Sequence, residues 1–297
     1  MSRMLVVSNR LLVRRDQEGG ELASPHEASE VASAQPEIGY TARAEVDRVA
    51  AAMSRASVLT LLLDYDGTLV PIAPTPDLAA PDAELKALLL QLASCSTCEL
   101  HIVSGRSRDT LERWFGGMPV HLHAEHGFWS KSPDRSWRGR QALSGGWRQP
   151  ALEILRHFAV ITPGALVEQK HSGLAWHYRR CAPQLALSQV QALKKCLAEV
   201  LTDKPVQIFA GDKVIELRPH GVDKGLIAIE ATAKARPGAV VAAFGDDATD
   251  EDMFRALPED AFGFHVGPAP SCAPIRLRDF RDVRQILVRL RDPSRGP

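Results

Sequence analysis

The chain has 297 residues, of which 45% are hydrophobic, and its 36 basic side chains balance 36 acidic ones. The length exceeds one average domain, and the hydrophobic content suffices for a core and a second, smaller domain. A formal net charge of zero excludes a strong overall field that would attract nucleic acid or an anionic membrane surface, so the sequence favours a small-molecule ligand.

Two further features of the sequence concern its expected location. No stretch approaches the about 18 to 20 uninterrupted apolar residues of a membrane span, and the N-terminus lacks the pattern of a secretory signal. The five cysteines are odd in number, which fits reduced thiols better than a disulfide framework. Cys95 and Cys98 have C-x-x-C spacing without a second pair, so we interpret their segment as a loop. We therefore expect a cytoplasmic protein.

The first 50 residues differ in character from the rest. Residues 4–10 read as a short strand, whereas residues 16–35 are rich in Glu, Ser, Ala and Gly, a composition typical of disorder. We therefore expect residues 1–50 to form a partly disordered extension.

The first strong signal is an apolar, β-compatible run over residues 58–63, which ends in Asp64, Asp66 and Gly67. The run is too short for a typical helix and predicts a strand buried on both faces of a parallel sheet. Ligands of open α/β sheets bind beyond the carboxyl ends of the strands, so both carboxylates are expected to face the cleft. A D-x-D pair before glycine also occurs in turns whose aspartates bond their own backbone, so more evidence is needed.

The next segments alternate between helix and strand patterns. Leucines recur at helical spacing over residues 81–93, an apolar strand over residues 100–103 ends at Ser104, and a second helix pattern covers residues 107–115. This alternation is typical of a doubly wound, Rossmann-like parallel sheet of the α/β class.

A smaller inserted domain is predicted in the middle of the chain. The pair Gly145-Gly146 suggests a hinge, residues 183–201 read as a helix after a strand, and a turn over residues 219–223 returns the chain to Lys224. Accordingly the chain divides into the extension at 1–50, a core at 51–145 and 223–297, and an inserted α/β domain at 146–222.

A loop lysine and an acidic segment complete the set of polar groups. Lys224 lies between glycines, and five acids within residues 246–252 directly follow an apolar strand over residues 239–244. Singly, Ser104 and Lys224 would be ordinary surface or capping residues, and the acids a solvated turn or a helix start favoured by the macrodipole. Their order and their positions at strand ends favour a shared site instead.

With these residues the chain resembles the haloacid dehalogenase superfamily of phosphotransferases. The superfamily's four motifs match, in order, Asp64 with Asp66, Ser104, Lys224, and Asp246 with Asp247. Residues 245–254 are similar, more narrowly, to the acidic motif of the trehalose-6-phosphate phosphatases. The resemblance spans about residues 57–290 and implies a Rossmann-like core, an inserted α/β cap that selects the substrate, and hydrolysis of trehalose 6-phosphate to trehalose and phosphate.

The resemblance implies a role for each core residue. Asp64 would be the nucleophile that forms an aspartyl-phosphate, and Asp66 would protonate the sugar oxygen and later deprotonate the hydrolytic water. Ser104 and Lys224 would contact phosphoryl oxygens, the lysine supplying positive charge to the transition state.

A divalent cation is expected because a dianionic phosphate would be repelled by this many carboxylates. Oxygen ligands without a histidine or cysteine partner point to Mg²⁺. Asp64, the main-chain carbonyl of Asp66, and Asp246 would hold it, with Asp247 acting through water.

Further residues are substrate-binding candidates by resemblance. In the cap these are Glu168, Lys170, Arg179, Lys213 and Glu216; outside it they are Arg106, Glu125 and His126. Strand-like alternation would bring pairs of the cap residues to one face, where carboxylates and cations read sugar hydroxyls well. Charged residues on a half-exposed sheet are also commonly its solvated face. For Glu125 and His126, orientation of the phosphate or sugar and a structural role are both open.

Two other functions stay open. One is a phosphatase of another sugar phosphate, such as that of sucrose, glucosylglycerol or mannosylglycerate; the other is a non-catalytic sugar-phosphate-binding or regulatory module. Intact Asp64, Asp66, Lys224 and Asp246 argue against the second. Residues 1–10 resemble the opening of trehalose-6-phosphate synthases, which in some organisms are joined to the phosphatase. We interpret this segment as the remnant of such a fusion, with association with a synthase as a possible consequence; a chance strand-like tail or a dimerisation arm explains it equally well.

Overall fold

The computed structural model describes residues 39–140 and 146–291. The predicted strand over residues 4–10, the predicted disorder over residues 16–35 and Gly145 of the hinge lie outside the described residues. No helix in these two ranges is long and apolar enough to cross a membrane.

The described chain alternates strands and helices. Its strands are β1 (Leu59–Leu63), β2 (Cys98–Val103), β3 (His121–Ala124), β4 (Trp129–Lys131), β5 (Arg138–Gly139), β6 (Leu166–Gln169), β7 (Leu174–His177), β8 (Val206–Gly211), β9 (Val214–Pro219), β10 (Val240–Gly245), β11 (Phe262–Val266) and β12 (Ile275–Leu277). Its α-helices are α1 (Arg43–Ser54), α2 (Ala83–Ala93), α3 (Arg108–Phe115), α4 (Arg148–Ile161), α5 (Pro183–Val200), α6 (Lys224–Lys234), α7 (Asp250–Arg255) and α8 (Phe280–Leu290).

The larger sheet has eight strands in the order β12-β11-β10-β1-β2-β3-β4-β5. Its strands from β12 to β3 are parallel, and β4 and β5 add an antiparallel edge. From the centre the chain runs outward through β2 and β3 on one side and, later, from β10 through β11 and β12 on the other. The switch point of this doubly wound sheet therefore lies between β1 and β10, which confirms the predicted fold class.

Helices cover both faces of the larger sheet. Leu61 and Leu63 of β1 pack in one apolar cluster with residues of α1, α2, α3 and α8, whereas Leu62 packs in another with residues of α6 and α7. All five residues of β1 are buried. The prediction of a strand buried on both faces is confirmed.

The smaller sheet has four antiparallel strands in the order β6-β7-β9-β8. Trp176 and Leu217 on one of its faces form a separate apolar core with Leu155 of α4 and Leu193 of α5. The architecture of the inserted α/β cap is thereby confirmed, while its boundaries at 146 and 222 stay predictions.

Helix α1 begins at Arg43, inside the segment assigned from composition to the extension. Val46, Ala50 and Met53 recur at helical spacing and are buried in the same cluster as residues of α8. The core thus includes a helix that a division at residue 51 cuts in two.

Candidate active site

The candidate site lies at the switch point of the larger sheet. Asp64 follows β1, Asp246 follows β10, and these two strands are parallel neighbours. The Asp64 backbone N–H donates to the Phe244 carbonyl at 3.0 Å, so the pairing of the two strands continues up to the first carboxylate. The two predicted acidic motifs therefore meet at the carboxyl ends of the two central strands.

Lys224 begins α6 and projects into this site. Asp223 caps the helix by accepting a hydrogen bond from the Leu226 N–H at 2.9 Å, which fixes where the helix starts. The buried Lys224 ammonium donates to Asp64 Oδ1 at 2.6 Å and to Asp250 Oδ1 at 2.7 Å. Burial by itself would lower the pKa of Lys224, but the two carboxylates hold it well above its ordinary value.

Three carboxylates form a compact cluster. One oxygen from each of Asp64, Asp246 and Asp250 lies within 4.8 Å of the others, and burial raises the pKa of all three. Asp64 Oδ2 is buried and has no hydrogen-bond partner among the described residues. The single positive charge of Lys224 does not balance the three carboxylates of this cluster. A hard divalent cation would supply the missing charge, and the carboxylate oxygens are ligands that fit Mg²⁺.

Asp250 was not among the predicted site residues. Besides Lys224, it accepts hydrogen bonds from the backbone N–H groups of Asp246 at 3.0 Å and Asp247 at 3.1 Å. Its only signal in the sequence was its position in the acidic segment, which also suits a helix start. Asp247 lies beside the cluster, and one of its carboxylate oxygens accepts from the Thr249 N–H and hydroxyl at 2.7 and 2.6 Å.

Gly67 allows the two acidic loops to approach each other. Its φ is +83°, and a Cβ at this position would lie 1.9 Å from Asp246 Oδ2. Only glycine satisfies both the backbone conformation and the available space.

Asp66 and Arg106 form a bidentate ion pair next to the carboxylate cluster. The guanidinium donates to the two Asp66 oxygens at 2.7 and 2.5 Å and lies 5.0 Å from the Trp114 ring centre. Ser104 is buried and its hydroxyl oxygen accepts from the Arg106 N–H at 3.1 Å. The Asp66 side chain is therefore directed at Arg106. The group of Asp66 predicted to bind the cation is its main-chain carbonyl, which this ion pair does not involve.

On the cap side, Lys170 and Glu216 meet core residues. The Lys170 ammonium donates to Glu216 Oε1 at 2.6 Å and to the Gly105 carbonyl at 3.1 Å, while His126 Nε2 lies 3.1 Å from Glu216 Oε2. Burial lowers the pKa of His126 to about 4, so the neutral imidazole donates to the carboxylate. Burial raises the pKa of Glu216, yet its cationic neighbours hold it well below its ordinary value.

Glu125 joins core and cap at a second point. Its carboxylate is fully buried and accepts from the N–H and hydroxyl of Ser172 at 2.7 and 2.5 Å and from the His171 N–H at 3.2 Å. Both Glu125 and His126 have positive φ, a conformation that is costly for residues other than glycine. The β6–β7 loop of the cap is thus held by a strained turn of the core.

The remaining predicted cap residues separate into two groups. Glu168 pairs with His177 at 2.8 Å. Ala175 is the register partner of both Glu168 and Glu216, so the two glutamates lie on the same face of the cap sheet. Arg179 instead pairs with the exposed Asp212 at 2.7 Å. Lys213, in the β8–β9 turn, lies 6.0 Å from the Tyr178 ring centre, so Arg179 and Lys213 belong to the opposite end of the cap sheet from Lys170.

Arg218 is a polar residue of this face that the sequence reasoning missed. It is buried, with its guanidinium 3.6 Å from Glu216 and 4.0 Å from the Phe209 ring centre. The sequence feature that could have identified Arg218 is its position two residues after Glu216 in the same strand, because this spacing places both side chains on one face of the sheet.

Comparisons with known proteins agree with this geometry. The family model described as trehalose-phosphatase matches residues 62–276. A bifunctional trehalose-6-phosphate synthase/phosphatase of Thermoproteus tenax is 41% identical over 256 residues, which cover 86% of this chain and 35% of that protein. An α,α-trehalose-phosphate synthase of Dictyostelium discoideum is 34% identical over 217 residues, 72% of this chain and 27% of that protein. The chain thus spans about a third of the length of these curated relatives.

Solved structures give matches over nearly their full length. The C-terminal domain of the Candida albicans trehalose-6-phosphate phosphatase has a TM-score of 0.77 at 30% identity, with 82% of this chain and 96% of that chain covered. The Aspergillus fumigatus trehalose-6-phosphate phosphatase has a TM-score of 0.60 at 33% identity, covering 86% and 99%. A haloacid dehalogenase-like hydrolase of Bacteroides thetaiotaomicron, at 14% identity and a TM-score of 0.58, shares the fold.

These matches confirm the resemblance found in the sequence. The chain therefore belongs to the trehalose-phosphatase family, a family of phosphatases with the haloacid dehalogenase fold.

Proposed function

We propose that the chain hydrolyses trehalose 6-phosphate to trehalose and inorganic phosphate, with Mg²⁺, through an aspartyl-phosphate on Asp64. The observation that carries this proposal is the convergence of Asp64, Asp246, Asp250 and Lys224 in one buried cluster at the switch point of the sheet. A nucleophile, a cation and metal ligands are the groups that phosphoryl transfer requires.

In the first step, an Asp64 oxygen forms a bond to phosphorus as the bond from phosphorus to the sugar oxygen breaks. Asp66, which takes up a proton from solvent once its ion pair with Arg106 is broken, gives that proton to the departing oxygen. The substrate's phosphate takes over the Arg106 guanidinium, which frees the Asp66 carboxyl from its ion pair. In the second step, Asp66 removes a proton from water, the water oxygen bonds to phosphorus, and the bond to Asp64 breaks.

The remaining residues hold charge and position. Lys224 offsets the negative charge that spreads over the phosphoryl oxygens, and Asp250 orients both Lys224 and the loop that bears Asp246. Mg²⁺, which Asp64, Asp246 and the Asp66 carbonyl would hold, supplies further positive charge there when bound.

The sugar would lie against the open face of the cap sheet. Lys170 and Glu216 already form buried polar contacts with the core, and fixed charged groups of this kind read hydroxyl patterns. Arg179 and Lys213, at the other end of that sheet, would contact the part of a disaccharide farther from the phosphate. Because the curated relatives carry synthase names, we expect a trehalose-6-phosphate synthase to supply the substrate, in the cytoplasm.

The test is phosphate release with Mg²⁺ from trehalose 6-phosphate, sucrose 6-phosphate, glucose 6-phosphate and glucosylglycerol phosphate. We expect a preference for trehalose 6-phosphate of about a hundredfold or more in kcat/KM, equivalent to about 2.7 kcal/mol. Asp64→Asn should abolish release, whereas Asp109→Asn, an exposed aspartate on α3, should leave it unchanged. Preference for another sugar would overturn the substrate assignment, and release by Asp64→Asn at the wild-type rate would overturn the nucleophile.

Asp66→Asn separates the two steps. With p-nitrophenyl phosphate, whose leaving group needs no proton, the variant should still transfer the phosphoryl group to Asp64 but lack the base for its hydrolysis. We therefore expect an acid-trapped phosphoenzyme to accumulate in Asp66→Asn and to be missing from the Asp64→Asn, Asp66→Asn double variant. Equal trapping in both proteins would contradict the assignment.

A further inference from the structure

A second group of metal-ligating side chains lies away from the candidate active site, on strands β2 and β3. Glu99 and His101 are two residues apart in β2 and share a face of the sheet. His121 of β3 is the register partner of His101, so the parallel pairing brings it to the same face. One ligand atom from each of the three residues lies within 4.8 Å of the others.

Two of the three ligand-to-ligand distances in this cluster, both from the same Glu99 oxygen, are close to those between ligands of one tetrahedral ion. Glu99 Oε1 lies 3.2 Å from His101 Nε2 and 3.3 Å from His121 Nε2. Zinc bonds to nitrogen and oxygen of about 2.0 to 2.1 Å give a tetrahedral edge of about 3.3 to 3.4 Å. The imidazole rings of His101 and His121 are stacked, with centres 4.3 Å apart and planes inclined by 17°.

We propose that Glu99, His101 and His121 form a binding site for a divalent transition metal ion, with Zn²⁺ as the best-fitting ion. Two imidazoles and one carboxylate are a donor set that Zn²⁺ accepts, and they leave a fourth position for water. Glu99 and His121 are each 24% exposed, whereas His101 is 5% exposed. The site is therefore open to solvent on one side and anchored in the sheet on the other.

A hydrogen-bond chain behind His101 supports this use of its Nε2. His101 Nδ1 lies 3.0 Å from His123 Nε2, and His123 Nδ1 lies 2.9 Å from the Ser130 hydroxyl. In the structure His101 Nε2 is hydrogen-bonded to Glu99 Oε1 at 3.2 Å. With an ion bound, His101 Nδ1 would carry the proton and donate to His123, which would donate to Ser130, so that the Nε2 lone pair would be available to the ion. Metal-binding histidines are oriented in this way by a partner on the other ring nitrogen.

Charge and protonation are compatible with an ion at this position. A carboxylate and neutral imidazoles are the forms of these side chains that bind metal. The cations in range are Lys234 and Arg236, which are exposed to solvent and therefore screened.

The test is Zn²⁺ binding to the full chain after removal of bound metal, measured by competition with a chromophoric chelator in excess Mg²⁺. Wild type should bind one Zn²⁺ that His121→Gln and Glu99→Gln bind about 100-fold more weakly or worse. His157→Gln, which alters an exposed histidine of α4, is the matched control and should bind like wild type. All four proteins keep the acidic cluster of the candidate active site, so its contribution cancels in the comparison.

Co²⁺ provides a second readout that does not depend on activity. Bound to wild type and His157→Gln, it should give the intense visible bands of tetrahedral Co²⁺, and these should be lost in His121→Gln. Circular dichroism establishes that each variant is folded. Equal Zn²⁺ affinity in the four proteins, or loss of binding in His157→Gln as well, would overturn the proposal.

Discussion

At the scale of single residues, Gly67 has two constraints that can be separated by experiment. Its φ of +83° penalises any side chain, and the close Asp246 carboxylate leaves no space for one. Gly67→Ala should therefore lower the free energy of unfolding by about 1 to 2 kcal/mol through the backbone. It should also lower kcat/KM by about 100-fold, because Asp246 must move away from its position. Urea unfolding and phosphate release with Mg²⁺ measure the two effects.

Gly238→Ala is the matched control for this substitution. Gly238 has a similar φ of +77° but no atom within 4 Å of the added Cβ, and it lies between α6 and β10. The control should lose similar stability and keep its activity. If both variants lost activity equally, the close approach to Asp246 would not explain the effect.

The predicted residues of the acidic cluster and its lysine share one property, which is their position directly after a strand or at the start of a helix. Asp64, Asp246 and Lys224 could be predicted because the topology of a parallel sheet brings such positions together. Asp250 could not, because its importance comes from contacts with Lys224 and with two backbone N–H groups. Arg218 was missed for the same reason, since its burial against Glu216 and an aromatic ring depends on how the cap packs.

At the scale of elements, the Glu125 carboxylate is the contact that fixes the β6–β7 loop of the cap to the core. In Glu125→Gln an amide nitrogen would face the donors of Ser172 or His171, leaving buried groups unsatisfied. We expect a loss of about 2 to 3 kcal/mol in the free energy of unfolding and faster hydrogen exchange of the backbone amides at residues 170–173. Urea unfolding and exchange followed by mass spectrometry measure these changes.

Glu230→Gln tests whether this effect is specific. Glu230 pairs with Arg140 at 2.7 Å on the surface, where the two side chains are 36% and 28% exposed, so the same substitution there should cost at most about 1 kcal/mol. Exchange at residues 170–173 should not change. Equal losses in the two variants would show that the Glu125 contacts do not hold the loop.

How far elements could be predicted depended on the length and contrast of their patterns. The leucine-rich strand β1 and the long helix α5 stand out from their surroundings, and the structure reproduces both closely. The antiparallel edge was missed because β5 has only two residues, Arg138–Gly139, too few for a period. Helix α1 was missed because four of its twelve residues are alanines, which make the buried stripe of Val46, Ala50 and Met53 hard to distinguish, and its packing in one cluster with residues of α8 identifies that stripe.

At the scale of the whole molecule, core and cap meet through buried polar groups. Lys170 and Glu216 of the cap contact Gly105 and His126 of the core, on the face of the cap sheet opposite its own apolar core. Polar contacts of this kind can be exchanged for substrate hydroxyls at a smaller cost than an apolar interface, which agrees with the role proposed above for the cap sheet. They also couple the stability of the protein to pH.

The coupling is set by His126, whose pKa burial lowers from 6.5 to about 4. Between these values the unfolded chain binds a proton that the folded protein does not, so stability falls as the pH is lowered through this window, by up to about 3 kcal/mol for this one group. His126→Gln keeps an N–H donor for Glu216 but cannot titrate. The measurement is urea unfolding at about pH 7.5 and about pH 4.5. Between these two pH values, His126→Gln should lose less stability than wild type. The control is His157→Gln, in which the substituted imidazole is exposed; it should lose as much stability as wild type. If His126→Gln lost as much stability as wild type, the neutral His126 would not be a source of the acid sensitivity.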